Sequence, residues 1–142
     1  MILKFRIDGV PIAKQSFRKT RSGHCYQKKE IIDREKEIKR QVLKQLPEGF
    51  EPSTSGIIIN YLTFVFPPTK SLLKGKNKNT DLSGILFKNT KPDLDNLEKL
   101  LFDALQGVVY VNDSQIYKKK YISKIYGLTP GIELEIEVLE FC

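Results

Sequence analysis

The 142-residue sequence lacks several features on which common classes of enzyme depend. It has no tryptophan and one histidine, His24, and its two cysteines, Cys25 and Cys142, lack the spacing of metal ligands. These absences argue against a zinc site built from histidine and cysteine, and against a Ser-His-Asp triad. No glycine-rich phosphate loop is present either. We expect both cysteines to be free thiols in a reducing compartment.

Long apolar runs are also missing. No stretch approaches the roughly 20 apolar residues that a membrane span requires. The N-terminus alternates apolar and polar residues and lacks the apolar block of a signal peptide. We therefore expect a cytoplasmic protein with no membrane partner. Its hydrophobic fraction of 40% and charged fraction of 29% are typical of one globular domain over residues 1–142.

Acidic residues are scarce in most of the chain. The net charge is +7, although four of the 17 acids lie within the last ten residues. From Lys14 to Lys29 inclusive there are six lysines or arginines and no acid. A polyanion is the partner that such a surface favours, because neutralising its phosphates releases counterions. A basic surface that serves only solubility is the alternative.

Hydrophobic periodicity predicts several strands and two main helices. Strands are expected at 2–9, 56–66, 108–113, 114–127 and 131–138, and helices at 28–46 and from Leu94 to Gly107. Residues 67–91 are polar and basic, and we expect a long, mobile loop there. This order predicts an α+β fold in which one mixed β-sheet carries the two helices.

Two aspartates stand one residue apart at the start of the second helix, in the segment KPDLDNLEKLLFDALQG at 91–107. Asp95 and Glu98 have the spacing of a capping box, which accounts for one acid. Capping leaves Asp93 unexplained, because two neighbouring carboxylates repel each other unless a cation lies between them. The pattern fits a divalent cation such as Mg²⁺, with helix capping as the alternative.

Two further residues extend this hypothesis. Asp113 follows the helix and a short predicted strand, so the chain has room to bring it back to the helix start as a third ligand. Lys99 lies four residues after Asp95 on the same helical face. There it would hold a phosphate or stabilise charge in a phosphoryl transition state, and a solvated or ion-paired side chain is the alternative.

The segments PDLDNLEKLLFDAL and NDSQI resemble the central signature of the RusA-type Holliday junction resolvases, an endodeoxyribonuclease family common in prophages. The N-terminal GVPIAKQSFR is similar to that family's opening Gly-x-Pro-x-x-Lys loop. The resemblance implies a RusA-like homodimer that grips a four-way DNA junction and makes paired incisions. It also implies Mg²⁺ as the cofactor, with Mn²⁺ as a substitute.

The resemblance assigns roles to individual residues. The metal ligands would be Asp93, Asp95 and Asp113, and these with Lys99 would be the catalytic residues. Where the family often has an acidic pair, the first member here is Asn112, which contributes no charge. Asp103 matches the family pattern too, but we assign it no catalytic role.

DNA contacts are expected from the basic segment at 14–29 and from the lysines after Asp113. The residues that we favour are Lys14, Arg18, Lys19 and Arg21, and near Asp113 the lysines Lys118, Lys119 and Lys120. Alternation along a strand puts Lys118 and Lys120 on one face and Lys119 on the other, so the three need not all contact DNA. The dimer interface stays open between the strand at 56–66 and either helix. The alternative function is a basic nucleic-acid-binding module without catalysis.

Overall fold

The computed structural model describes residues 1–14, 18–19, 25–26, 29–73, 80–81 and 83–139, with only the backbone described at 18–19 and 25–26. Three residues named above, Arg21, His24 and Cys142, lie outside these ranges, as do positions 74–79 and 82 of the predicted loop. None of the helices in the described ranges has the length and apolarity that crossing a membrane requires.

The described chain alternates strands and helices and ends in two long strands. The elements are β1 (Ile2–Asp8), β2 (Arg18–Lys19), β3 (Cys25–Tyr26), α1 (Lys29–Gln45), β4 (Ile57–Phe66), α2 (Lys70–Leu73), α3 (Leu94–Leu105), a 3₁₀ helix (Asp113–Gln115), β5 (Ile116–Tyr126) and β6 (Gly131–Val138). The predicted α+β class is confirmed, with α1 and α3 as the two main helices.

The main sheet is mixed, as expected, and its strand order is β1-β6-β4-β5. β6 runs antiparallel to both β1 and β4, whereas β4 and β5 are parallel. Parallel neighbours need a crossover connection, and here the crossover carries α3. The crossover brings α3 against β5.

One core lies between the sheet and the two main helices. From α1 it receives Ile31, Ile38 and Val42. The apolar side of α3 supplies Leu97, Leu100, Leu101, Phe102, Ala104 and Leu105. Each large aliphatic side chain that is fully removed from water stabilises the fold by about 1.5–3 kcal/mol. This burial fixes the rotation of α3, and therefore which of its polar residues face outward beside β5.

The other face of the sheet carries the glutamates of β6, as its alternation predicts. Glu133 lies 3.5 Å from Arg6 Nη1, and Glu135 lies 3.6 Å from Lys4 Nζ. The Asn60 amide also donates to Glu135 at 2.9 Å. Exposed pairs of this kind contribute less than about 1 kcal/mol each. These pairs neutralise glutamates of β6 with nearby cations, so these acids do not offset the positive charge on other parts of the surface.

The predicted strand at 108–113 is wrong. Residues 107–109 form a turn that is closed by a hydrogen bond from the Gly107 N–H to the Tyr110 carbonyl at 2.7 Å. Gly107 has φ +79, a left-handed conformation that favours glycine and ends the helix. Val109 and Tyr110 are fully buried, so the apolar run reflects a turn packed into the core.

The predicted loop at 67–91 contains more regular structure than expected. It includes the short helix α2, and its C-terminal part lies along the outer edge of β5. Phe87 forms a bridge with Ile125 there, and the Lys88 N–H donates to the Lys124 carbonyl at 3.0 Å. The polar composition of this segment gave no sign of the pairing, because the hydrogen bonds that cover the edge of β5 are made by the main chain.

Candidate active site

A cleft of about 340 Å³ opens between α3 and the start of β5. Its charged lining consists of Asp95, Glu98 and Lys99 from α3, Asp113 from the 3₁₀ helix and Lys119 from β5. Phe102 and Ile116 form the apolar part of its wall. Two of the predicted catalytic aspartates and the predicted catalytic lysine therefore line one concavity.

Asp95 does not cap the helix, so the capping-box interpretation is wrong. The helix begins at Leu94, which places Asp95 inside the first turn with Asp93 as the N-cap residue. The Asp95 carboxylate accepts a hydrogen bond from the N–H of the next residue, Asn96, at 3.0 Å. Glu98 binds Lys119 at 2.9 Å. A carboxylate at the N-terminal end of a helix is also favoured by the helix dipole.

Asp93 lies beside the cleft in a neighbouring depression. It is the N-cap residue by backbone position, but its side chain makes no capping hydrogen bond. The depression that it lines is formed with Lys91, Pro92 and Asn96. Capping therefore does not account for this carboxylate either.

The segment before Asp93 is fastened to β5 by a lysine. Lys124 Nζ donates to the carbonyl oxygens of Thr90 at 2.6 Å and of Pro92 at 2.8 Å. Lys88 lies over the rings of Phe66 and Tyr126, 5.0 and 5.1 Å from their centroids. These contacts fix the approach of the chain to the start of α3, and thus where the Asp-X-Asp segment lies.

Asp113 is held at the cleft by a hydrogen-bonded turn. Its N–H donates to Gln106 Oε1 at 3.0 Å, which ties the turn to the end of α3. Asn112 caps the 3₁₀ helix, and its side-chain oxygen accepts the Ser114 N–H at 2.9 Å. The oxygen of Asn112 is thus used in capping.

Gln115 joins this turn to the chain before β4. Its Oε1 accepts the N–H groups of Val111 and Asn112 at 3.0 and 2.8 Å. Its Nε2 donates to the carbonyl oxygens of Ser53 and Ser55, both at 2.8 Å. One side chain thus satisfies four backbone groups, and the glutamine of the NDSQI segment positions Asp113 without lining the cleft.

Lys14 is engaged inside the protein. Its ammonium lies 2.6 Å from Asp103 and 3.3 Å from Glu35, and its side chain is 20% exposed. Burial lowers the pKa of Lys14, but the hydrogen bond to Asp103 and the two negative charges outweigh burial and raise the pKa above its usual value. The Lys14 N–H also donates to the Asn96 carbonyl at 3.0 Å, which anchors this loop to α3.

Lys99 differs from Lys14 in its exposure. It lies 3.6 Å from Asp103, one helical turn further along α3, and its side chain is 61% exposed. A long pair at the surface is weak, because water and salt screen it. Lys99 is therefore available to a ligand that enters the cleft, whereas Lys14 is held by two carboxylates.

The remaining predicted DNA contacts are distributed over two regions. Lys118 and Lys120 are exposed on β5. Only the backbone of Arg18 and Lys19 is described, as the strand β2 that pairs with β3. DNA contacts by these residues and by Lys14 stay predictions.

The acids of the cleft fit a hard divalent cation. Mg²⁺ is usually bound through one or two carboxylates together with waters and substrate phosphates. Asp95 and Asp113 supply that number. Within the described ranges, no three histidine, cysteine, aspartate or glutamate side chains are grouped so as to hold one ion. The role of Asp93 as a third ligand stays a prediction.

Sequence reasoning missed the position of Glu98, which was considered only as a capping residue although it lines the cleft. Lys119 was named with Lys118 and Lys120 as a DNA contact, but the sequence did not show which of the three would line the cleft. The structure places Lys119 there. The usable signal for Lys119 was alternation, which separates it from Lys118 and Lys120.

Comparison with known proteins agrees with this geometry. The model of the family described as "Endodeoxyribonuclease RusA" matches residues 8–137. A similar curated protein, "Uncharacterized protein YqaN" of Bacillus subtilis (strain 168), is 39% identical over 71 residues. That match covers 49% of this chain and 49% of the relative. Since the family model covers most of the chain, including both main helices, β4, β5 and the whole cleft, the chain belongs to the RusA endodeoxyribonuclease family.

Proposed function

We propose that this protein is a Mg²⁺-dependent, structure-selective endodeoxyribonuclease that resolves four-way DNA junctions by paired incisions. The observation that carries the proposal is the shared cleft of Asp95 and Asp113, in which neither carboxylate serves as a helix cap. Lysines stand beside these acids, and the chain has a net charge of +7. Family membership supplies the reaction class and the DNA substrate.

The aspartates and Lys99 have different roles in the proposed reaction. Asp95 and Asp113 would hold the metal ion through carboxylate oxygens, and Asp93, which lines the adjacent depression, would be the third ligand. When bound, the ion supplies an activated water and neutralises charge on the departing oxygen. Lys99 holds a non-bridging phosphate oxygen, because its ammonium is exposed at the same cleft. Mn²⁺ would occupy the same oxygen ligands.

The wider assembly follows from the shape of the substrate. A two-fold homodimer presents two clefts to a nearly symmetric junction, which paired incision requires. Lys118 and Lys120 on β5, with Arg18, Lys19 and Arg21 of the basic segment at 14–29, bind the arms through phosphates. We place the protein in DNA recombination and repair in the cytoplasm, at the nucleoid, with a prophage as its genetic context.

The position of Asp93 favours a second candidate function. Its side chain lies in a depression separate from that of Asp95 and Asp113. A module that binds nucleic acid without cutting it needs no convergence of the three acids. Such a module binds with a steep salt dependence and yields no metal-dependent product.

A cleavage assay on matched substrates tests the proposal. A labelled four-way junction, a fork and a linear duplex of the same sequence are incubated with the protein, with Mg²⁺ or with a chelator. We expect symmetrically placed cuts in the junction, little cutting of the duplex and none in chelator. Equal cutting of duplex and junction would remove junction selectivity but leave a nuclease. Binding without any product would favour the second candidate.

A further inference from the structure

Lys119 is the lysine of β5 that faces the cleft. It pairs in register with Ile59 of β4, which is fully buried on the helix-covered face of the sheet. Lys118 instead pairs with Ile58, the residue that precedes Ile59 in β4. The pleat therefore sends Lys119 toward α3, and it lines the cleft with Asp95 and Asp113.

Two contacts hold the Lys119 ammonium in place. Its Nζ lies 2.9 Å from Glu98 Oε1 and 5.2 Å from the centroid of the Phe102 ring. Glu98 is 15% exposed and Lys119 is 46% exposed, so the pair has one sheltered partner and one that meets solvent. An ammonium has three N–H donors, and the bond to Glu98 uses one of them.

We propose that Lys119 binds a DNA phosphate inside the cleft, with Glu98 as the residue that positions it. This inference rests on the proposed function, which supplies the DNA. The Lys119–Glu98 pair neutralises one of the three acids of the cleft and leaves the other two for the metal ion. The donors not used by Glu98 are available to a phosphate in the cleft, because Lys119 lines the cleft and its side chain is 46% exposed. Lys99 and Lys119 then contact the backbone from α3 and from β5.

A rival explanation is that Lys119 only neutralises Glu98. If so, the double variant binds as tightly as Glu98→Gln, because no unpaired carboxylate remains to repel phosphate. If Lys119 binds phosphate, the double variant binds more weakly than Glu98→Gln. A double-mutant cycle over Lys119→Met and Glu98→Gln separates the two explanations. Methionine keeps an apolar stem over Phe102 and removes the charge alone.

The experiment measures binding of a labelled four-way junction by fluorescence anisotropy, in chelator, over a series of salt concentrations. We expect Lys119→Met to weaken binding about 3–10-fold and to reduce the slope of log K against log salt by about one, as for one lost phosphate contact. Lys119→Met/Glu98→Gln should stay weaker than Glu98→Gln by a similar factor. Lys119→Arg should restore most of the affinity.

The matched control is Lys44→Met. Lys44 is exposed on α1 and lies in a different depression, with Arg40 and Gln41. This variant should bind within about twofold of the parent with an unchanged salt slope. Urea unfolding of every variant shows that each is folded at the assay temperature.

Three outcomes would overturn the inference: a double variant that binds as tightly as Glu98→Gln, a loss in Lys119→Met no larger than in the control, or a parent that binds no DNA. Mg²⁺-dependent cleavage by the parent is measured on the same preparation. If the parent cleaves but the double-mutant cycle shows no contact between Lys119 and phosphate, only the assignment of Lys119 fails. If the parent binds without cleaving and the cycle holds, the nuclease proposal fails and the contact stands.

Discussion

Asp95→Asn is expected to lower Mg²⁺-dependent junction cleavage on the order of 100-fold or more while junction binding stays near the parental affinity. The substitution keeps the shape of the side chain and removes the charge that binds the ion. The basic surface is untouched, so DNA is still bound. Single-turnover cleavage rates, with anisotropy binding measured in Ca²⁺, separate the two effects.

Asp33→Asn is the matched control for this variant. Asp33 is exposed on α1 and does not line the cleft, so the same loss of one charge should leave the cleavage rate within about twofold. A parental cleavage rate in Asp95→Asn would show that the site assignment is wrong. Equal loss of cleavage and of binding would show that Asp95 acts on folding or on DNA affinity instead.

Gln115→Leu is expected to lower the free energy of unfolding by about 2–4 kcal/mol. The side chain makes four hydrogen bonds, two with the N–H groups just before the 3₁₀ helix and two with carbonyl oxygens of the segment before β4. Leucine has a similar volume and can make none of them. Since the turn carries Asp113, the folded fraction of the variant should also cleave more slowly. Urea denaturation followed by circular dichroism measures the change in stability.

Ser114→Ala tests whether the effect belongs to the Gln115 network. Ser114 is exposed in the same turn, and its backbone N–H keeps its bond to Asn112 when the side chain is shortened. This control should unfold within about 0.5 kcal/mol of the parent. If Gln115→Leu were no less stable than Ser114→Ala, the four bonds would not be what holds the turn.

The sequence predicted the elements whose periodicity reflects burial. The leucines of α3 recur at helical spacing because one side of the helix enters the core. The alternation of β6 reports a strand with one buried and one polar face. At Val109 and Tyr110 the apolar content led to the wrong prediction of a strand. A turn packed into the core buries such side chains as completely as a strand does.

The candidate site was predictable only in part. Family resemblance and charge pattern found Asp95, Asp113 and Lys99, which line one cleft. The engagement of Lys14 with Asp103 was hidden, because the partners are brought together by the tertiary fold. The pairing of Lys119 with Glu98 was hidden for the same reason, since it depends on the parallel placement of β5 beside β4. Local patterns do not encode such long-range neighbours.

The central claim is that Asp95 and Asp113 hold one metal ion. Its most direct test is anomalous diffraction at the manganese edge from crystals of the protein grown with Mn²⁺. The account predicts one strong peak in the cleft between α3 and β5, within about 2.0–2.3 Å of an oxygen of each of these two aspartates. Crystals that contain Mn²⁺ but show no peak bound by both residues would contradict it.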